Sequence, residues 1–410
     1  MIPVNEPLIG GREEEYVREC LRTGWISSSG RFIEEFEQKW AAYCGMAHGI
    51  AVSNGTTALQ AAVACLGFEP GFQVIMPSFT IISCALAVLY NGGMPVFVDC
   101  DPRTWCLDVN QVREKIEKDQ QQGEQHIKAI MPVHIYGHPV DMDPLMELAR
   151  KYNLKIIEDA AEVHGAGYLT GRNTPSPQWK KCGGFGHVST FSFYANKLIT
   201  TGEGGMVLTN DEMLAEKIRS IRNLCFRPEQ RFLHTELGHN FRLTNLQAAV
   251  GLAQMERIDE IIARKRWMGQ AYAERLRGID GLQLPVEEPW AKQVYWMYGT
   301  VLDESTGLDA IQFAQKLKAK GVETRPFFLG MHQQPVFQTT RMTMRGRDLA
   351  PTLTTHGGND KNRGLFPDES YPITERIARQ GLYLPSGLTI TKTQIDLVCN
   401  AVKAVLDEIS

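Results

Sequence analysis

Apolar runs alternate with helical patterns through the first half of the chain, and this alternation constrains the fold more than any other feature. Val74-Ile-Met-Pro precedes a helical pattern over residues 81–90, and Pro95-Val-Phe-Val-Asp precedes one over 109–118. Ala129-Ile-Met-Pro-Val-His-Ile precedes a third over 144–152, with Asp143 placed to cap it, and Lys155-Ile-Ile-Glu-Asp follows. These runs are too continuously apolar to face water on one side. They predict an α/β fold with a mostly parallel sheet covered by helices on both faces. Ligands of such sheets collect at the carboxyl ends of the strands. Asp159 ends one run, and Lys197 follows another, Ser189-Thr-Phe-Ser-Phe.

Two domains are expected from 410 residues, a large one over 1–260 and a smaller α+β one over 261–410. In the second, a long helix over 246–273 has its Arg264-Lys-Arg end toward solvent. A strand over 295–301, an amphipathic helix over 309–320 before Gly321 and a last helix over 393–408 complete it. Hydrophobic content of 43%, charged content of 22% and net charge −4 are ordinary for a globular protein. No basic block tracks a phosphate backbone, so nucleic acid is not an expected partner. No run reaches the eighteen or so apolar residues of a membrane span, and no leader pattern opens the chain, so a cytoplasmic protein without a membrane partner is expected. The nine cysteines lack zinc spacing, leave no metal site, and read as reduced thiols, with Cys65 and Cys84 as small core residues.

Chemistry concentrates in three places. Lys197 lies between a strand-like run and the turn Thr200-Thr-Gly-Glu-Gly-Gly, followed by Met206-Val-Leu-Thr. A desolvated lysine on such a connection can lose its proton and attack a carbonyl, whereas a solvated one is only a surface charge. Asp159 either caps a following helix or places an anion beside a cationic ring, as the ring nitrogen of pyridoxal phosphate (PLP) requires. Ser53-Asn-Gly-Thr-Thr breaks a short strand and starts a helix, so Gly55, Thr56 and Thr57 either cap that helix or bind phosphate at its N-terminus. Three different requirements of PLP are thus met in one β/α half.

With these residues the chain resembles the DegT/DnrJ/EryC1/StrS sugar-nucleotide aminotransferases, which are fold type I, aspartate-aminotransferase-like PLP enzymes. Gly24-Trp-Ile-Ser-Ser, Val133-His-Ile-Tyr-Gly-His-Pro, Ile157-Glu-Asp-Ala-Ala-Glu, Asn240-Phe-Arg-Leu-Thr-Asn and Glu323-Thr-Arg-Pro carry the resemblance along nearly the whole chain. It implies that Lys197 is the Schiff-base lysine and proton carrier and that Asp159 pairs with the pyridinium. Glu162 would stand near the ring hydroxyl and the sugar, with Ser192, Gly55 and Thr56 on the phosphate. Asn240 would reach the phosphate in a partner subunit, which implies a homodimer with shared sites. His134 is either near the ring or a buried histidine bonded to backbone, and His332 and Arg325 either face the cleft or lie on the surface.

The implied reaction moves an amino group from L-glutamate, leaving 2-oxoglutarate, to a keto carbon, C4 by resemblance, of a nucleotide-linked deoxyhexose. A GDP-linked sugar is favoured. A dTDP- or UDP-linked keto sugar, a keto-cyclitol, and a non-catalytic PLP-binding regulator are the alternatives. Three features depart from the family pattern. Ile81 stands where an aromatic usually stacks on the ring, and Phe79 is expected to share its strand face without replacing it. The stretches 171–183 and 338–371 are extended, the first either contacting substrate or forming a surface insertion.

Overall fold

A computed structural model describes residues 1–123, 125–227, 229–338, 343–344, 347–348, 366 and 369–408. Two N-terminal helices, α1 (Glu13–Thr23) and α2 (Arg31–Cys44), precede the sheet. Then follow β1 (His48–Val52), α3 (Gly55–Cys65), β2 (Gln73–Pro77), α4 (Ile82–Tyr90), β3 (Met94–Val98) and α5 (Val109–Gln121). The series continues with β4 (Ile127–Ile130), α6 (Met142–Lys151), β5 (Lys155–Asp159), β6 (Val188–Ser192), β7 (Gly205–Thr209) and α7 (Glu212–Arg222). The seven strands form one sheet in the order β1-β7-β6-β5-β4-β2-β3. Only β7 runs against its neighbours, antiparallel to both β1 and β6, while the remaining pairs are parallel. The strand interiors are almost wholly buried, which is why their sequences show no alternation.

Two buried clusters divide the apolar residues. The larger surrounds this sheet. The smaller lies under a four-stranded antiparallel sheet made of Leu282–Gln283, Tyr298–Leu302, Gly381–Leu384 and Arg325–Pro326. Residues 246–273, expected as one helix, form two, α8 (Asn245–Met255) and α9 (Ile258–Leu276). The break at Glu256–Arg257 lets α8 pack on α1 and α2 while α9 runs on into the second cluster, placing Ile258 and Ile261 in the first and Tyr272 and Leu276 in the second. The Arg264-Lys-Arg segment does not face solvent. Lys265 is 1% exposed, and its Nζ donates to the carbonyls of Trp296 (2.9 Å) and Ser386. Arg264 likewise donates to the carbonyls of Leu388 and Ile390.

Asp143 lies inside the first turn of α6, behind the N-cap Asp141, and accepts from Thr170 Oγ1 and Gly171 N. The stretch after residue 170 is a hairpin, with Gln178–Lys181 antiparallel to Gly167–Thr170. Most of the 338–371 extension lies outside the described residues. All nine cysteines are free and buried. Among the described residues, no helix is long and apolar enough to cross a membrane.

Candidate active site

The carboxyl ends of β5 and β6 and the N-termini of α3 and α4 surround a cleft of about 630 Å³. Gly55, Thr56, Asp159, Glu162, Ser192 and Lys197 all line it. α3 owes its start to Asn54, whose side chain accepts from Thr57 N at 2.9 Å while the Thr57 hydroxyl accepts from Asn54 N at 3.2 Å. The cap satisfies Thr57 and leaves the N–H groups of Gly55 and Thr56 in the first turn, which has no intrahelical acceptor. Glycine is required at 55 because a Cβ there would stand 2.7 Å from Ser192 Cβ. Gly205 is required likewise, since its Cβ would meet Asn54 O at 2.3 Å. The turn is therefore pressed onto β6 and β7, with free N–H groups and the Ser192 side chain at one end of the cleft. Thr56 Oγ1 and Ser83 Oγ, 2.9 Å apart, join the starts of α3 and α4 there.

Asp159 is 2% exposed, and no helix follows it. Its Oδ1 accepts from Ala161 N at 3.0 Å, and its Oδ2 from Cys84 Sγ at 3.2 Å. Burial raises its pKa, with those two donors and the charge of Lys197 opposing the rise. Glu162 Oε2 accepts from Tyr136 N at 2.8 Å, and Tyr136 adopts φ 51° to aim that N–H. Burial pushes Glu162 up to about 7. Lys197 sits on the connection between β6 and β7, 10% exposed, with Nζ 3.6 Å from Glu162 Oε1. Burial lowers its pKa, against the attraction of Glu162 and Asp159. A lysine that is cheap to deprotonate stands beside a carboxyl that is cheap to protonate, which is a pair built for moving protons.

The remaining sequence candidates lie elsewhere. Asn240 is exposed and is not a lining residue of this cleft. His134 is fully buried, its Nδ1 accepting from Val140 N (2.9 Å) and its Nε2 donating to Glu158 (3.0 Å), so it is bonded to backbone and carboxylate away from the cleft. His134, Glu158 and Cys182 are spaced closely enough for a metal, but Glu158 is already filled by donors from His134, Gly183, Phe185, Gly186 and Ser189. His332 is buried between Ser78 and Glu375, and Arg325 is exposed beside Glu323. Neither lines the cleft. Nor do Phe79 and Ile81 share a strand face, because β2 ends at Pro77. Ile81 lines the cleft at 46% exposure, whereas Phe79 is fully buried against Phe327, Phe328 and Tyr136.

Sequence reasoning missed Trp296, Tyr383 and Phe328, which form an aromatic wall, and Ser83, Tyr194 and Asn196. The wall comes from segments 99 or more residues after Lys197, and nothing local marks them.

The sheet with one reversed strand and the buried lysine on its β6–β7 connection define a PLP-dependent enzyme of fold type I. The chain belongs to the DegT/DnrJ/EryC1/StrS aminotransferase family, whose model matches residues 7–354, and it is a PLP-dependent transaminase. It is 41% identical over 406 residues to a GDP-perosamine synthase of Caulobacter vibrioides, covering 99% of this chain and 98% of that one. A GDP-perosamine synthase of Escherichia coli O157:H7 is 35% identical over 401 residues, covering 98% and 97%. Among solved structures, DesV of S. venezuelae in complex with a ketimine intermediate superposes with a TM-score of 0.81 at 31% identity, covering 97% of this chain and 95% of that one.

Proposed function

We propose that this aminotransferase moves the amino group of L-glutamate to the C4 keto carbon of a GDP-linked 4-keto-6-deoxyhexose. The observation that carries the reading is the lining of one cleft by a buried lysine, two buried carboxyls and a helix N-terminus held open by Gly55. The residues fit PLP. The α3 turn offers N–H groups and hydroxyls to a phosphate, and Asp159 is a buried carboxylate that a cationic ring nitrogen would complement. Bound PLP supplies an electron sink for the carbon that loses or gains a proton.

The chain's own groups do the rest. Gly55 N, Thr56 N and Ser192 Oγ would hold the phosphate, and Asp159 would favour a protonated ring nitrogen. Lys197 Nζ would hold the cofactor at its carbonyl carbon, with water leaving, and as a free amine would carry a proton to and from the amino-bearing carbon. Glu162 Oε1, 3.6 Å from Nζ, takes or returns that proton. The wall of Trp296, Phe328 and Tyr383 excludes water and presents an apolar surface to the unsubstituted face of a deoxy sugar. The identity to two GDP-perosamine synthases favours the GDP-linked substrate.

Asn240, exposed beside the bridge to Asn223, would serve the phosphate of the partner's site in a homodimer. For the division into 1–260 and 261–410, the smaller cluster lies wholly within the second part, from Met268 to Leu406, while Val294, Trp296, Phe327 and Ile377 of that part pack into the larger cluster. Mass spectrometry of products formed from glutamate with GDP-, dTDP- and UDP-linked 4-keto-6-deoxyhexoses tests the substrate. Amination of the GDP compound is expected. Turnover of a dTDP- or UDP-sugar with none on the GDP compound overturns it.

A further inference from the structure

Trp296 is 4% exposed and precedes the strand Tyr298–Leu302 of the smaller sheet, yet its side chain reaches the cleft of the larger one. Its ring centroid lies 3.6 Å from Lys197 Nζ. Trp296 is held at its ring and at its backbone. Nε1 donates to Asn196 O at 2.8 Å, on the same connection as Lys197, and the Trp296 carbonyl accepts from the buried Lys265 at 2.9 Å. The ring also stacks on Tyr136, centroids 6.1 Å apart, and Tyr136 is the residue whose N–H orients Glu162. Lys197 Nζ thus lies between an indole face and a carboxyl oxygen.

We propose that Trp296 is a further catalytic residue of this site: its indole face seats the free amine of Lys197 when that amine carries a proton as an ammonium. This rests on the reading of Lys197 as the reacting lysine. The negative face of an indole attracts a cation most strongly where water is excluded. It therefore adds to Glu162 and Asp159 in opposing the cost of burying the charge. The fastening by Asn196 and Lys265 means the ring need not be ordered when the amine arrives.

The test uses cofactor-free protein, so that its readout does not depend on turnover. Lys197 acylation by a small amine reagent is followed by peptide mass spectrometry across pH in wild type, Trp296→Phe and Trp296→Leu. Removing the indole face is expected to lower the labelling midpoint of Lys197 by about one pH unit in Trp296→Leu, with Trp296→Phe between it and wild type. An unchanged midpoint in both variants overturns the proposal. So does a rise, because that is what water entering a loosened cleft would cause. Should Trp296→Leu fail to fold, the Trp296→Phe midpoint decides alone, a fall supporting the proposal and no fall overturning it. The underlying reading is checked separately in Lys197→Ala, which is expected to lose the visible band of the PLP-loaded protein; a band of normal position there would sink that reading and leave the labelling result standing.

Discussion

Glu162 and Lys197 face each other at 3.6 Å, their side chains 8% and 10% exposed. Burial raises the Glu162 carboxyl from 4.5 to about 7, so the fold takes up a proton there that the unfolded chain releases. The stabilising contribution of protonated Glu162 is present at low pH and is lost as pH rises through about 7. Glu162→Gln stays neutral throughout. In cofactor-free protein, wild type should lose stability relative to Glu162→Gln as pH rises from about 4.5 to about 7, by at most about 3 kcal/mol. Parallel thermal-midpoint curves across that range would remove Glu162 as the titrating group. At this scale the sequence was readable where function is written locally. Lys197 has its glycine turn, and Asp159 ends an apolar strand. Trp296 and Tyr383 carry no such mark, because distance along the chain says nothing of the wall they build.

Among the elements, α3 is positioned by what lies beneath its first turn. Gly55→Ala puts a Cβ 2.7 Å from Ser192 Cβ, so the turn must lift from β6 or Ser192 must move. Overpacking of this size costs about 1–3 kcal/mol, and the displaced N–H groups should weaken PLP binding at least tenfold. Titration with PLP followed by its absorbance, alongside a melting curve, checks this; an unchanged dissociation constant would place the phosphate elsewhere. The α8–α9 break was not legible, because the residues on both sides are good helix formers and only the separation of two cores requires a bend. Lys265 misled for a similar reason. Flanked by arginines it reads as solvated, but Trp296 O and Ser386 O, brought in by later segments, give its ammonium partners inside the protein.

For the whole molecule, the proposed homodimer makes a prediction that one chain cannot. Asn240 is exposed and outside its own cleft. A Lys197→Ala chain mixed with an Asn240→Ala chain forms, among other dimers, one whose first site keeps both residues if Asn240 acts across the interface. Activity should then return to a sizeable fraction of wild type after co-assembly of two weak parents. Mixing that restores nothing would assign Asn240 to its own chain.

The sequence by itself determined the layered α/β architecture, since buried parallel strands must be continuously apolar and helices between them must be periodic. It also singled out the three groups proposed to anchor the cofactor, because Lys197, Asp159 and the Gly55 turn each follow or end a strand, where the topology leaves room for a ligand, and all three line one cleft. Tertiary structure decided the rest. The packing of the smaller sheet against the larger places Trp296 on Lys197, seats His332 against Ser78 and buries Lys265, while Glu158 and Val140 hold His134 away from the cleft. Each of those outcomes depends on partners supplied from distant segments, and a side chain's charge state and role follow from such partners as much as from its own chemistry.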